Sequence, residues 1–181
     1  MASLQRHPDS AVSAVRGIDV EIARSREAIK VLYKLGGDLD RVLLPAAAAP
    51  RRADRLWQHT CFELFVAQKD AQGYVEFNFS PSGEWACYGF SSYRNRTAAA
   101  GSAPQIAVQR ADGQLELSAR VRIATAGKLE IGISAVIEEK DGAGSPSSSR
   151  FLSYWALRHP PGKPDFHHRD AFALELDAVR H

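Results

Sequence analysis

The sequence predicts an all-β protein, an antiparallel jelly-roll or immunoglobulin-like β-sandwich with little or no helix. Three observations carry that expectation. Many short stretches alternate apolar and polar residues with period two, as a half-buried strand must. Turn-forming Gly, Pro, Asp and Ser clusters punctuate them at roughly 8–12-residue intervals, the rhythm of sandwiches and barrels. No stretch keeps a helical apolar period over three turns, so the crossover helices that a parallel sheet requires are missing. At 181 residues the chain reads as one domain, 1–181, long enough to bury a core without disulfides or metal.

Taken in order, Arg16–Ala23 sets Ile18, Val20 and Ile22 against Asp19, Glu21 and Ala23, and Ala28–Leu35 repeats the pattern before Gly36-Gly37. Leu39–Leu44 reads as a short strand ended by Pro45, and the alanine-rich run to Asp54 as a loop. From Leu56 to Arg94 come three successive strands rich in aromatic residues. In the first, Phe62, Leu64 and Val66 share one face and Glu63 and Phe65 the other; in the second, Val75, Phe77 and Phe79 oppose Tyr74, Glu76 and Asn78. Ser80-Pro81-Ser82-Gly83 is a turn, and the third strand runs from Glu84 to about Phe90. Thr97–Pro104 is small, polar and mobile. Strands are then expected at Gln105–Gln109, Leu115–Ile123, Leu129–Glu138, Phe151–Leu157 and Phe172–Leu176, with turns at Asp112-Gly113 and Ala126–Lys128 and a flexible loop at Asp141–Ser149.

Composition narrows the function classes. The chain is 45% hydrophobic and 24% charged, with a net charge of +2, which gives no electrostatic reason for a nucleic-acid or membrane partner. No apolar run approaches the ~20 residues of a membrane helix, and the N-terminal segment lacks a signal-peptide core, so a cytoplasmic location is expected. Cys61 and Cys87 belong to no CxxC and read as buried thiols.

Leu56-Trp57, then Cys61-Phe62-Glu63-Leu64-Phe65-Val66, then Tyr74-Val75-Glu76-Phe77-Asn78-Phe79-Ser80-Pro81-Ser82-Gly83, resembles the DOMON-like β-sandwiches related to family 9 carbohydrate-binding modules. The later Tyr154–Asp170 is similar to a segment of their small stand-alone bacterial members. The two segments cover under half of the chain. The resemblance implies a jelly-roll-like sandwich with a ligand on one face or edge, a sugar in the carbohydrate modules and haem in some relatives. It further implies that an early and a later Trp clamp the sugar ring while a Glu and an Arg bond its hydroxyls. Trp57 and Glu63 match motif positions, and Trp155 and Arg94 correspond by type and place. Gln58, His59 and Thr60 stand where those modules carry acidic residues, a departure that bears on calcium binding and on sugar affinity. Haem is not expected, because the relatives that hold it use an axial Met and this chain has only Met1.

The residues themselves allow the same chemistry. A pyranose stacks its C–H face on an aromatic ring while planar polar groups take its hydroxyls, and Trp57 with Glu63, Glu76, Asn78 and Arg94 supplies both parts. The plain alternative is that Trp57 caps the sandwich and Glu63 is an exposed carboxylate paired with an Arg. Glu63 and Glu76 also sit on neighbouring strands, a spacing that glycoside hydrolysis shares with chance. His159, Asp165 and His167 form a second constellation that would suit a divalent metal; the competing reading is a clasp in which the imidazoles bond backbone carbonyls and pin the Pro-rich loop. No nucleophile motif or phosphate loop is present, so no catalytic residue is assigned. The reading is therefore a non-catalytic sandwich binding a sugar or similar small molecule, needing no cofactor. A metal-dependent jelly-roll enzyme at His159, Asp165 and His167, and a protein-interaction sandwich with an exposed sheet edge, are the alternatives.

Overall fold

Two antiparallel sheets give the period-two alternation its physical meaning: each buries one face against the other. The computed structural model describes residues 1–98, 101–111, 113–123, 127–140 and 149–179. The strands are β1 (Ala2–Arg6), β2 (Val15–Arg24), β3 (Ala28–Gly37), β4 (Cys61–Gln68), β5 (Tyr74–Phe79), β6 (Trp85–Ser92), β7 (Asn95–Thr97), β8 (Gln105–Ala111), β9 (Gln114–Arg122), β10 (Leu129–Lys140), β11 (Arg150–Ala156) and β12 (Leu174–Leu176). One sheet has the order β1-β2-β3-β9-β8 and the other β7-β6-β5-β4-β10-β11. The strand β1 joins them, pairing Ala2–Leu4 with β2 and Gln5 and Arg6 with β11. Along the far edge of β10, β12 takes Leu129–Ile131 and β11 takes Ser134–Lys140.

The core lies between the sheets. Phe62, Leu64, Phe77, Phe79, Ile131, Ile133 and Ile137 from one sheet meet Ile18, Ile29, Val31, Tyr33, Leu35, Leu117 and Val121 from the other. Each large side chain so buried contributes about 1.5–3 kcal/mol. Tyr33 packs on Phe62 with ring centroids 4.9 Å apart and donates its hydroxyl to the Glu63 carbonyl at 2.8 Å, so its one polar atom is satisfied. Cys61 and Cys87 are free, buried thiols.

Several local expectations need correction. Leu39–Leu44 forms no strand; Leu39 and Val42 are buried, but only Val42 makes an isolated bridge, to Glu139. Leu56–Gln58 is a 3-10 turn rather than the start of a strand. The short strands β1 and β7 were not expected. Pairing explains them better than pattern, since β1 contributes a single buried residue, Leu4, and β7 none. Most of the expected loop Asp141–Ser149, the turn residues Asp112 and Ala126, and residues 99 and 100 of the Thr97–Pro104 stretch lie outside the described residues.

Candidate functional site

The outer face of the β4–β5–β6–β10–β11 sheet is not a solvent face. Strand register lines up Tyr88, Glu76 and Phe65 in one row and Ala86, Asn78, Glu63 and Ser134 in the next. These residues point away from the core, yet Glu63 and Glu76 are only 3% and 5% exposed. Two segments cover them. One is the stretch through Arg55 and the Leu56–Gln58 turn; the other is the Pro-rich return from Pro160 to Phe172.

Aromatic packing holds the return segment down. The His167 ring sits against Phe65 and Phe90 at 5.3 and 5.0 Å, and Tyr74 stacks on Phe90 at 4.7 Å. Phe172 lies on Phe65 and over Gly132, where a built Cβ would stand 2.9 Å from its ring. Gly132 is thus small because a ring occupies the space. Gly132→Ala is expected to displace Phe172 and lower stability by about 1–3 kcal/mol, as measured by urea unfolding. An unchanged midpoint would contradict this packing.

Between the two covers lies a cavity of about 800 Å³, within the range of ligand sites. Glu63, Glu76 and Phe65 form its floor. Tyr88, Phe90, Tyr154 and Phe166 add aromatic wall, and Trp57, Arg55, Arg94 and Arg96 stand at its mouth. Trp57 is 47% exposed, a large ring left in water beside a concave surface. Arg55 and Arg94 have left-handed backbones, φ 62° and 54°, a conformation that costs a non-glycine residue on the order of 1 kcal/mol and concentrates at functional sites.

The floor is electrostatically unusual. Burial, and then the charge on Glu76, pushes the Glu63 carboxyl up to about 8, although Ser134 Oγ donates to Glu63 Oε2 at 2.9 Å. Burial likewise raises Glu76 to about 7, against the opposing pull of the Asn78 amide, which donates to Oε1 at 2.8 Å, and of Arg96 and Arg94. Burial, helped by the Arg94 charge, depresses His167 to about 4, so its ring is neutral at pH 7. The Tyr74 hydroxyl accepts from the Arg94 N–H at 3.2 Å and lies 2.8 Å from His167 Nδ1. A hydroxyl that donates to Nδ1 leaves the ring proton on Nε2, 3.6 Å from Glu76 Oε2. The site thus offers neutral or half-ionised carboxyl groups, able to donate as well as accept, beneath aromatic rings.

Of the residues singled out from sequence, Trp57, Glu63, Glu76 and Arg94 line this one cavity. Asn78 is fully buried beside it, its amide on Glu76 and its Oδ1 without a donor. Trp155 is elsewhere: it is 4% exposed in the core between the sheets, with Nε1 donating to Ser153 Oγ at 3.0 Å. Its assignment as the second ring of a clamp is corrected, because period two turns Trp155 inward and its neighbour Tyr154 outward into the cavity. Glu63 is likewise not an exposed carboxylate paired with Arg. Tyr154 and Phe166 were missed; the alternation of Ser153, Tyr154 and Trp155 held the signal for the first.

The structure does not bring His159, Asp165 and His167 together. His159 Nε2 meets the Gln5 carbonyl at 2.8 Å, Asp165 takes Arg94 at 2.9 Å and the Tyr93 hydroxyl at 2.6 Å, and His167 bonds Tyr74. Among the described residues no group of three or more His, Cys, Asp or Glu is placed to hold a metal ion. The His159 contact, and that of His7 Nε2 with the Gly162 carbonyl at 3.0 Å, pin the return segment to β1 and the residue after it.

No family model and no curated protein matches the chain by sequence. Solved structures do share its fold. A candidate carbohydrate-binding protein from Bacteroides uniformis aligns over 96% of this chain and 85% of its own, with TM-score 0.63 and 17% identity. A family 9 carbohydrate-binding module from Caldicellulosiruptor kristjanssonii, in complex with glucose, aligns over 93% and 78% with TM-score 0.55 and 12% identity. A family 9 module of the same organism with cellotriose aligns over 84% and 70%, TM-score 0.53 and 13% identity. At these identities the likeness is one of fold: the chain is an all-β sandwich of the kind those modules adopt.

Proposed function

We propose that this DOMON-like sandwich is a non-catalytic sugar-binding module and that its site is the outer-face cavity. The observation that carries the reading is the half-exposed Trp57 ring at the mouth of a cavity floored by Glu63 and Glu76, which lie only 3% and 5% exposed. A ring to stack on and buried polar groups to reach hydroxyls are the two requirements of pyranose recognition. The sandwich fold shared with modules solved in complex with glucose and cellotriose supports it. Glu63, Glu76 and Arg94 would take the hydroxyls, Trp57 one face of the ring, and Tyr154 or Phe166 the other.

Calorimetric titration against a panel of neutral and acidic mono- and oligosaccharides tests this. Binding is expected for at least one sugar, with Trp57→Ala weakening it about tenfold or more and the sugar recovered unchanged. Absence of binding across the panel, or equal affinity in Trp57→Ala, would overturn the assignment; release of a hydrolysed product would make the Glu63–Glu76 pair catalytic.

A further inference from the structure

Charge is unevenly divided between the mouth of the outer-face cavity and its floor. The mouth carries Arg55, Arg94 and Arg96 against one exposed carboxylate, Asp54. The floor carboxyls are buried and hold their protons to about 8 and about 7, so in mild acid they offset little of that positive charge. We infer that the cavity selects an acidic sugar over its neutral parent, a ring bearing a carboxylate as a uronic acid does, with that carboxylate held at the mouth by Arg55 and Arg96. The inference rests on the sugar-binding reading. It departs from the solved modules in their ligands, glucose and cellotriose, which carry no charge.

The three guanidinium groups are not equally free. Arg94 is committed, its Nη2 donating to Asp165 at 2.9 Å and its Nε to the Tyr93 hydroxyl at 3.3 Å. Arg96 lies over the Tyr88 ring, 3.9 Å from its centroid. Its contact with Asp54 is loose at 3.9 Å, and Arg52 shares that carboxylate at 3.4 Å. Asp54 also accepts from the Tyr88 hydroxyl at 2.8 Å, so ring, carboxylate and guanidinium hold one another in place. Arg55 is exposed, and its guanidinium has no partner among the described residues. It caps the Leu56–Gln58 turn in the left-handed region, φ 62° and ψ 28°, where Gly or Asn would sit at less cost. A long cation in a strained position, beside the exposed Trp57 ring and with no anion of its own chain, leaves a place for a ligand anion. A planar carboxylate fills it well, because it takes two N–H groups of one guanidinium side by side. A doubly charged phosphate ester would be repelled more strongly by the floor carboxyls as they ionise. The mouth is also bordered by a three-residue 3-10 turn, too short to seat a phosphate on a helix N-terminus.

The test is a set of matched pairs, titrated by calorimetry at a pH below both floor values: glucose with glucuronate, galactose with galacturonate, and a hexose phosphate as a further anion. In the wild type the uronate is expected to bind about tenfold more tightly than its neutral parent. That advantage is expected to shrink as salt is raised tenfold from about 0.05 M. In Arg55→Asn/Arg96→Gln the ratio is expected to fall towards one. In Arg55→Lys/Arg96→Lys, which keeps both charges, most of it should persist. Both positions are exposed, Asn tolerates the left-handed backbone, and the ratio within one protein cancels any general loss from the substitutions. Equal binding of acidic and neutral sugar, an advantage that survives the loss of both charges, or tighter binding of the phosphate ester overturns the acidic-sugar assignment while leaving the cavity reading standing. If no sugar binds, neutral or acidic, both fall together.

Discussion

Replacing both floor carboxyls, in the double variant Glu63→Gln/Glu76→Gln, is expected to remove a fall in stability that the wild type shows between pH 6.5 and about 8. The folded protein holds the Glu63 proton up to about 8 and the Glu76 proton up to about 7, whereas both groups ionise near 4.5 once unfolded. Across that range the folded state binds more protons, so stability declines as pH rises. His167 runs the other way. Its folded value lies near 4 and its ordinary one at 6.5, so its contribution is present above 6.5 and lost as pH falls through 4. The effects oppose each other in mild acid, where the lowered His159 adds to His167, and the histidine contributions fade above pH 6.5, leaving the carboxyls dominant. The wild-type loss is expected to be on the order of 2 kcal/mol, read from urea unfolding at stepped pH. Glu63→Gln alone should reduce it, because the amide remains neutral and removes the repulsion. A pH slope unchanged in the double variant would mean that the pair is not the titrating unit.

The second large effect is expected on the opposite face of the same sheet. Glu139, wholly buried in β10, accepts from Ser13 Oγ at 2.7 Å, from the Ala14 N–H at 2.6 Å and from Ser153 Oγ at 2.8 Å, and Ser153 in turn accepts from Trp155. It ties the segment entering β2 to β10 and β11. Glu139→Ala leaves the buried Ser153 hydroxyl and the half-buried Ser13 hydroxyl and Ala14 N–H without that acceptor, at a cost of about 1–3 kcal/mol. Glu139→Gln keeps one acceptor oxygen, which can still take the two serine hydroxyls now bonded to Oε1, and loses only the acceptor of the Ala14 N–H, so it should recover part of that cost. Both are checked by thermal and urea unfolding; a loss below about 0.5 kcal/mol in Glu139→Ala would show that these donors find other partners.

How much of this was legible in the sequence differs element by element. The faces of β4 and β5 were readable outright, because Phe62, Leu64, Val66, Phe77 and Phe79 repeat with period two and all lie in the core. The same pattern placed Glu63 and Glu76 on one outer face. It could not show that this face is covered, since the cover is made by residues more than 100 positions later, His167 and Phe172 upon Phe65. Trp155 misled because both faces of β11 carry aromatic residues, and residue type alone does not say which face meets the core. Nor did the His and Asp residues of the return segment announce their partners: Gln5, Arg94 and Tyr74 are fixed by sheet topology, not by local spacing.

A crystal structure of the protein with the tightest-binding sugar of the panel tests the central claim most directly. A sugar ring is expected against Trp57 in the outer-face cavity, with its hydroxyls in hydrogen-bond reach of Glu63, Glu76 or Arg94. A sugar bound on the β2–β3–β9 sheet or at a sheet edge, with the cavity free of it, would contradict the assignment of the site to that cavity.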